Sequence, residues 1–307
     1  MKINQKKHQK LRMDVIGKFF NNERVYMIVV KISDGFGNQL FQYAFGYALS
    51  RKLNTELVLD ATILDNHSSR KYELDKLNIK AEKVITYKNF SVPLVRKIFR
   101  QLKLKKIYSQ TTNFKEKEKW KYDASIEDIK DNTYVEGYWQ TEKYFLQYRE
   151  ELVRILSPCY RMSKEAEKYR KKVLEGNSVS VHIRRGDYET LGNCVNENYY
   201  EQAIQKVLEQ QSNPKFFVFS DDLEYAEKFM RRFDDLRYEI VKYNSDNLAL
   251  DDFFIMVACH TNIIANSTFS WWAAWLNQNA DKKVICPQVS NWSGEFYPEE
   301  WDKIICD

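Results

Sequence analysis

Apolar residues recur along this 307-residue chain in two patterns, short runs of strand length and longer stretches of helical period. Ile28 to Ile32 (IVVKI) predicts a buried strand, Ser33 to Gln39 a loop with two glycines, and Leu40 to Leu53 a helix. In that helix Leu40, Phe41, Ala44, Phe45, Ala48 and Leu49 follow helical spacing. Leu57 to Asp60 predicts a second strand, so the chain opens as a parallel α/β unit. Polar stretches and short apolar runs then alternate through 61–133, with an amphipathic helix predicted over Val92 to Leu104. Tyr134 to Gln140 predicts a strand ending in aromatics, Lys143 to Leu156 a helix stopped by Pro158, and Ser163 to Leu174 a charged helix.

From Val179 onward strands and helices alternate regularly. Strands are predicted at Val179 to Ile183, Lys215 to Phe219, Tyr238 to Val241, Thr261 to Ala265 and Val284 to Cys286. Helices are predicted over Glu197 to Gln210, from Asp222 through Phe233, over Leu248 to Cys259 and over Trp271 to Asn277. The whole reads as a doubly wound α/β fold in two halves. The expected division is an extension at 1–26, a first unit at 27–160 and a second at 161–307, with the boundary near 157–176.

Composition narrows the class. Hydrophobic residues make up 44% and aromatic residues 15%, which suits a globular chain and not a disordered one. The net charge is +5, and Arg96, Lys97, Arg100, Lys103, Lys105 and Lys106 crowd one stretch without an acid between them. That stretch predicts a solvated helix face, or a peripheral contact with an anionic membrane surface. Five scattered cysteines without a Cys/His cluster predict reduced thiols and no structural zinc. Met1 to Tyr26 lacks the apolar run of a signal peptide, and no apolar stretch is long enough to span a bilayer. The expected location is cytoplasmic, and the sequons at Asn66, Asn89, Asn266 and Asn291 read as chance matches.

Candidate chemistry collects where parallel sheets bind ligands, beyond the carboxyl ends of strands. The first cluster is Asp34-Gly35-Phe36-Gly37-Asn38-Gln39, whose glycines permit close approach of backbone N–H groups to a phosphate at a helix start. The second is His182-Ile183-Arg184-Arg185-Gly186-Asp187-Tyr188. Its paired arginines suit a diphosphate, although an internal salt bridge to Asp187 explains them equally simply. The third is Ser220-Asp221-Asp222, ordinary helix caps or carboxylates for the N–H groups of a guanine. The fourth, Asn266-Ser267-Thr268-Phe269-Ser270, offers a second anion seat at a helix start. No Asp-x-Asp occurs, so charge neutralisation by arginine and helix N-termini is expected in place of a metal.

Four segments together resemble the bacterial α-1,2-fucosyltransferases of glycosyltransferase family 11. They are GFGNQLFQYAFG (35–46), GYWQTEKYF (137–145), VHIRRGDY (181–188), and FSDD (219–222) with NSTFSWWAAWLN (266–277). The resemblance runs from about Met27 to the end and is loose over 61–130. Asp34 stands where the family pattern more usually has glycine. The resemblance implies a GT-B fold, two Rossmann-like domains facing across a cleft. It also implies GDP-β-L-fucose as donor and metal-free inversion at the anomeric carbon. The implied acceptor is a terminal galactose, fucosylated at O2, in O-antigen or other surface glycans, possible lipid linkage included.

On that reading Arg184 receives the charge of the departing diphosphate. Arg185 and the backbone around Gly37, Ser267 and Thr268 assist, and Asp221 or Asp222 reads guanine. Gly35, Asn38, Gln39, Ser220, Asn266, Phe269 and Ser270 complete the donor site. Asp34, Asp187 and His182 stay open as acceptors of the hydroxyl proton. Tyr138, Trp139, Gln140 and Tyr188 are candidate acceptor-glycan contacts, or simply core. Two other classes were weighed. A nicotinamide-dependent oxidoreductase is suggested by Gly35-x-Gly37 after a strand and Asp60 at the end of the next, but Leu40 occupies the third glycine position. A non-catalytic basic binding protein would leave the phosphate loops without a purpose.

Overall fold

The computed structural model describes residues 26–64, 70–79, 83–85, 111–289 and 294–306. The extension, the basic stretch 96–106 and the helix predicted over Val92 to Leu104 lie outside them. Two sheets carry the fold. The first has five strands in the order β3-β2-β1-β5-β4. These are β1 (Met27–Lys31), β2 (Glu56–Asp60), β3 (Lys83–Ile85), β4 (Thr112–Lys115) and β5 (Thr133–Glu136). The second has six, in the order β11-β10-β9-β6-β7-β8. These are β6 (Ser178–Ile183), β7 (Lys215–Ser220), β8 (Tyr238–Ile240), β9 (Thr261–Ile263), β10 (Lys283–Gln288) and β11 (Asp302–Ile305). Every strand pairing within both sheets is parallel. The sequence pattern predicts neither edge strand β3 or β4, nor β11, because short edge strands carry little apolar periodicity.

Helix α1 (Phe36–Leu53) follows β1 and is buried on nearly every side, including Gln39 and Gln42. A helix that is apolar all round belongs inside a protein. Here it lies between the first sheet and the aromatic helix α8 (Thr268–Leu276), where Phe41 packs against Trp271 and Trp272 at ring separations of 4.5 and 5.0 Å. One apolar cluster therefore runs from Ile28 and Leu59 of the first sheet through α1 to Trp271, Phe253 and Phe217 of the second half. A smaller cluster of Val179, Val181, Tyr199, Phe229 and their neighbours covers the other face of the second sheet.

Three expectations need correction. First, α1 starts four residues earlier than predicted, so Phe36 to Gln39 form its first turn and not a loop. Neither glycine there has positive φ; Asp34 does, at 64°. Second, the alternation of Val179, Val181 and Ile183 with Ser180, His182 and Arg184 predicts one apolar face for β6, and the structure covers both. All six residues are buried, as expected for a central strand covered on both sides. Its polar members are mostly satisfied internally, Ser180 by Asn262 at 2.8 Å and Ser178 by the carbonyl of Val173. Third, the helix predicted over Lys143 to Leu156 is two single 3₁₀ turns followed by α2 (Arg149–Ile155). The break falls at Phe145, fully buried and stacked on Trp272 at 5.4 Å. The remaining helices are α3 (Lys164–Leu174), α4 (Gly186–Leu191), α5 (Glu197–Gln210), α6 (Leu223–Met230) and α7 (Leu248–Ala258).

Candidate active site

The carboxyl ends of β1, β6 and β7 converge with the first turns of α1, α7 and α8 on a cleft of about 690 Å³. It draws residues from both halves. Asp34, Gly35, Gly37, Asn38 and Tyr138 line it from the first sheet, and His182, Arg184, Asp187, Tyr188, Ser220, Asp221, Ser267, Thr268 and Phe269 from the second.

Arg184 is the central cation. Its two terminal nitrogens pair with different carboxylates, one with Asp187 and the other with Asp221 at 2.5 Å. Asp187 in turn spans two arginines, since its other oxygen accepts from Arg70 at 3.4 Å. Asp221 also accepts from the backbone N–H of Arg185 at 2.8 Å. These contacts orient the guanidinium without using all five of its N–H donors. They also explain Gly186, φ 23°, where a Cβ would lie 2.4 Å from the Asp221 carboxylate.

The helix starts contribute donors. Gly35, the residue before α1, makes no side-chain cap, so the first N–H groups of the helix have no side-chain acceptor there. At α8 Ser267 accepts from Phe269 N–H at 3.3 Å. Gly37 brings the two starts together, because a Cβ there would stand 2.5 Å from the carbonyl carbon of Thr268. The glycine is required by this close approach and not by positive φ.

Several predicted site residues do something else. Arg185 turns away from the cleft to lie over the Tyr225 ring at 3.9 Å and to pair with Glu189. Asp222 caps α6 by accepting from Tyr225 N–H at 3.0 Å and faces Arg185 at 3.7 Å. Gln39 is fully buried, and Asn266 bonds the Asn193 carbonyl at 2.8 Å while its own carbonyl accepts from Tyr188 at 3.2 Å. Ser270 is buried inside α8. Trp139, φ 57°, is core, stacked on Phe45 at 3.9 Å. Gln140 reaches the site indirectly, donating to the Asn38 side chain at 2.9 Å.

Electrostatics separate the titratable groups. Burial, and secondarily Arg184, push the pKa of His182 down to about 3, so its imidazole is neutral and a weak base. Its Nδ1 has no hydrogen-bond partner among the described residues. Burial and then the Asp34 carboxylate raise the Tyr138 phenol to about 12. Arg70, Lys71, Glu73 and Asp252 also line the cleft, and sequence reasoning missed all four. Burial raises the pKa of Asp252 to about 7, although a 2.7 Å hydrogen bond from Tyr243 opposes the shift. The charged run Arg70-Lys71-Tyr72-Glu73 beyond the end of β2 was the available signal for the first three. For Asp252 it was a second acid beside Asp251 at the start of an otherwise apolar helix. Among the described residues no group of three or more His, Cys, Asp or Glu side chains clusters to hold a metal ion. No helix there is long and apolar enough to cross a membrane. None of the five cysteines forms a disulfide.

The chain is 36% identical over 299 residues to an α-1,2-colitosyltransferase of Escherichia coli, covering 91% of this chain and 99% of that protein. It is 32% identical over 286 residues to the O-antigen biosynthesis glycosyltransferase WbnK of Escherichia coli, covering 84% and 92%. The fold matches a mutant of Arabidopsis thaliana FUT1 in complex with GDP at a TM-score of 0.52 and 11% identity, covering 95% of this chain and 82% of that one. The architecture is GT-B. The profile of Glycosyl transferase family 11 matches residues 4–304, which takes in most of the N-terminal stretch that the motifs leave out. The chain belongs to glycosyltransferase family 11.

Proposed function

We propose that the protein transfers L-fucose from GDP-β-L-fucose, with inversion and without a metal, to O2 of a terminal galactose in a surface glycan such as O-antigen. The observation that carries the reading is Arg184 at the end of β6, held by two carboxylates and facing a cleft that also receives the uncapped start of α1. As the bond from sugar to phosphate stretches, the sugar becomes oxocarbenium-like and the diphosphate gains negative charge. A guanidinium and helix N–H groups aimed at that charge act most strongly in the transition state. Arg70, which shares Asp187 with Arg184, and Lys71 add positive charge to the lining of the cleft.

In this reading the unit at 161–307 binds the nucleotide and the unit at 27–160 presents the acceptor. Asp222 is occupied as a cap and Asp221 by Arg184, whereas Asp252, with only Oδ1 accepting among the described residues (from Tyr243), offers its other oxygen to guanine. Tyr138 and Asp34 form the rim between this cleft and an adjoining pocket of about 450 Å³, which suits the acceptor glycan.

A second donor is favoured by the similarity to a colitosyltransferase. Colitose is the 3-deoxy counterpart of fucose. A site that hydrogen-bonds the 3-hydroxyl rejects the analogue lacking it by about 10⁴-fold, whereas an apolar site does not. The test is to offer GDP-fucose and GDP-colitose separately with a panel of β-galactosides and to assign product linkage by NMR. An α-1,2-fucosyl product is expected. Transfer of colitose alone moves the protein to the second reading, and a product of another linkage refutes the O2 assignment.

A further inference from the structure

Five carboxyl groups line the cleft: Asp34, Glu73, Asp187, Asp221 and Asp252. Four are engaged. Asp187 and Asp221 hold arginines, Asp252 accepts from Tyr243, and Asp34 bonds the Ser33 hydroxyl at 3.1 Å and that of Tyr138. The Glu73 carboxylate has no hydrogen bond or ion pair among the described residues, yet its backbone is held on both sides. Its N–H donates to Gln39 Oε1 at 3.1 Å, and its carbonyl accepts from Lys76 N–H at 3.1 Å. The next residue, Leu74, is fully buried.

Gln39 is what ties this segment to the site. From inside α1 its Nε2 donates to the carbonyls of Lys71 at 2.8 Å and Asp34 at 2.9 Å, while its Oε1 takes the Glu73 N–H. Gln39 thus pairs with both neighbours of Tyr72 as an adjacent strand would. A side chain whose backbone is fixed and whose carboxylate has no partner among the described residues is arranged to meet a ligand in the cleft.

We infer that Glu73 accepts the proton of the acceptor hydroxyl during transfer, and that Gln39 is the positioning residue that holds it at the cleft. The inference rests on the proposed transfer of fucose. The hydroxyl proton passes to a Glu73 oxygen while the acceptor oxygen's electron pair forms the bond to the anomeric carbon. The bond from that carbon to the phosphate oxygen breaks, and its electron pair leaves with GDP. Protonated Glu73 then returns its proton to water. Burial, and then Asp75, raise the Glu73 pKa above the ordinary glutamate range against the opposing pull of Arg70, Lys71 and Lys76. That makes it a better base than an exposed glutamate. The other candidates are weaker: His182 is neutral with a depressed pKa, Asp187 has an arginine on each oxygen, and Asp34 is held by the hydroxyls of Ser33 and Tyr138.

The experiment compares full-length wild type with Glu73→Gln and Gln39→Met. Steady-state transfer from GDP-fucose is measured against pH, and GDP affinity by calorimetry. Glu73→Gln is expected to lower kcat at least ~100-fold, the usual range for losing a general base. Its KM for GDP-fucose and its GDP affinity stay within about threefold of wild type, and the acidic limb of its pH profile disappears. Gln39→Met is expected to lower kcat less and to keep that limb. A Glu73→Gln kcat within threefold of wild type, or a loss confined to KM, overturns the inference, as does loss of the limb in Gln39→Met. Wild type that transfers no fucose refutes the proposed function instead, while loss of GDP binding in Glu73→Gln assigns Glu73 to the donor and also overturns the inference.

Discussion

Replacing Gly37 with alanine perturbs the place where the two halves meet at the cleft. The added Cβ would lie 2.5 Å from the carbonyl carbon of Thr268, 2.6 Å from its Oγ1 and 2.7 Å from Phe269 N. Two of these atoms are backbone in the first turn of a helix, so no rotamer relieves the clash. Carbon contacts are optimal near ~3.5 Å, so α1 and α8 must part by roughly 1 Å. Overpacking of this kind costs about 1–3 kcal/mol. At roughly 2–4 °C per kcal/mol for a chain of this size class, Tm should fall by about 2–12 °C. Turnover should suffer more, because a misplacement of about 1 Å between catalytic elements costs on the order of 100-fold. Gly35→Ala is the control. Its Cβ would meet only the Arg70 guanidinium, at 3.7 Å, in ordinary contact, and the lost cap preference costs at most ~1 kcal/mol. The assay is a melting curve and a kcat determination for both variants. Gly37→Ala with wild-type Tm and turnover would refute the argument that this glycine sets the cleft's width.

Arg184→Ala should lose at least ~100-fold in turnover, by analogy with removal of one oxyanion donor; wild-type activity in that variant sinks its role. Asp252→Asn should weaken GDP binding at least ~10-fold, as expected for losing hydrogen bonds to a charged group, and calorimetry checks this. The wild-type affinity should also decline as pH falls below about 7, where the Asp252 carboxyl takes up its proton. Stability runs the other way. The folded pKa, about 7, lies above the ordinary 3.8, so the folded state binds the extra proton and wild type should lose stability as pH rises between those values. Asp252→Asn should flatten that slope, read as denaturation midpoint against pH; an unchanged slope would refute the burial argument. Trp139→Leu should destabilise the protein by a few kcal/mol, in the range of large core truncations, while leaving the acceptor KM of the surviving fold near wild type. A selective rise in that KM would return Trp139 to the glycan site.

The regular strands and helices after Val179 were legible because their apolar residues keep one period over each whole element. Glu197–Gln210 forms over the predicted range. The first turn of α1 was misread because its glycines look like loop residues until α8 is set against them. By alternation His182 falls on the polar side of β6, with Arg184. Its position in a strand buried on both faces is a property of sheet order, which no local pattern carries. Arg184 stands out since two arginines at a strand end are rare, but only the fold separates Arg184 from Arg185, which lies over Tyr225. Glu73 and Asp252 stayed hidden for a related reason. Each enters the cleft from a segment whose own sequence pattern is ordinary.

The aromatic cluster that joins α1 to α8 bears on how relatives of this enzyme can be recombined. Phe36 and Phe41 belong by chain order to the first half, yet their partners include Phe253, Trp271 and Trp272 of the second. A hybrid cut at the covalent junction near residue 160 would pair one parent's phenylalanines with another's tryptophans. Exchanging parts of this scaffold between relatives therefore calls for keeping α1 with its native α8.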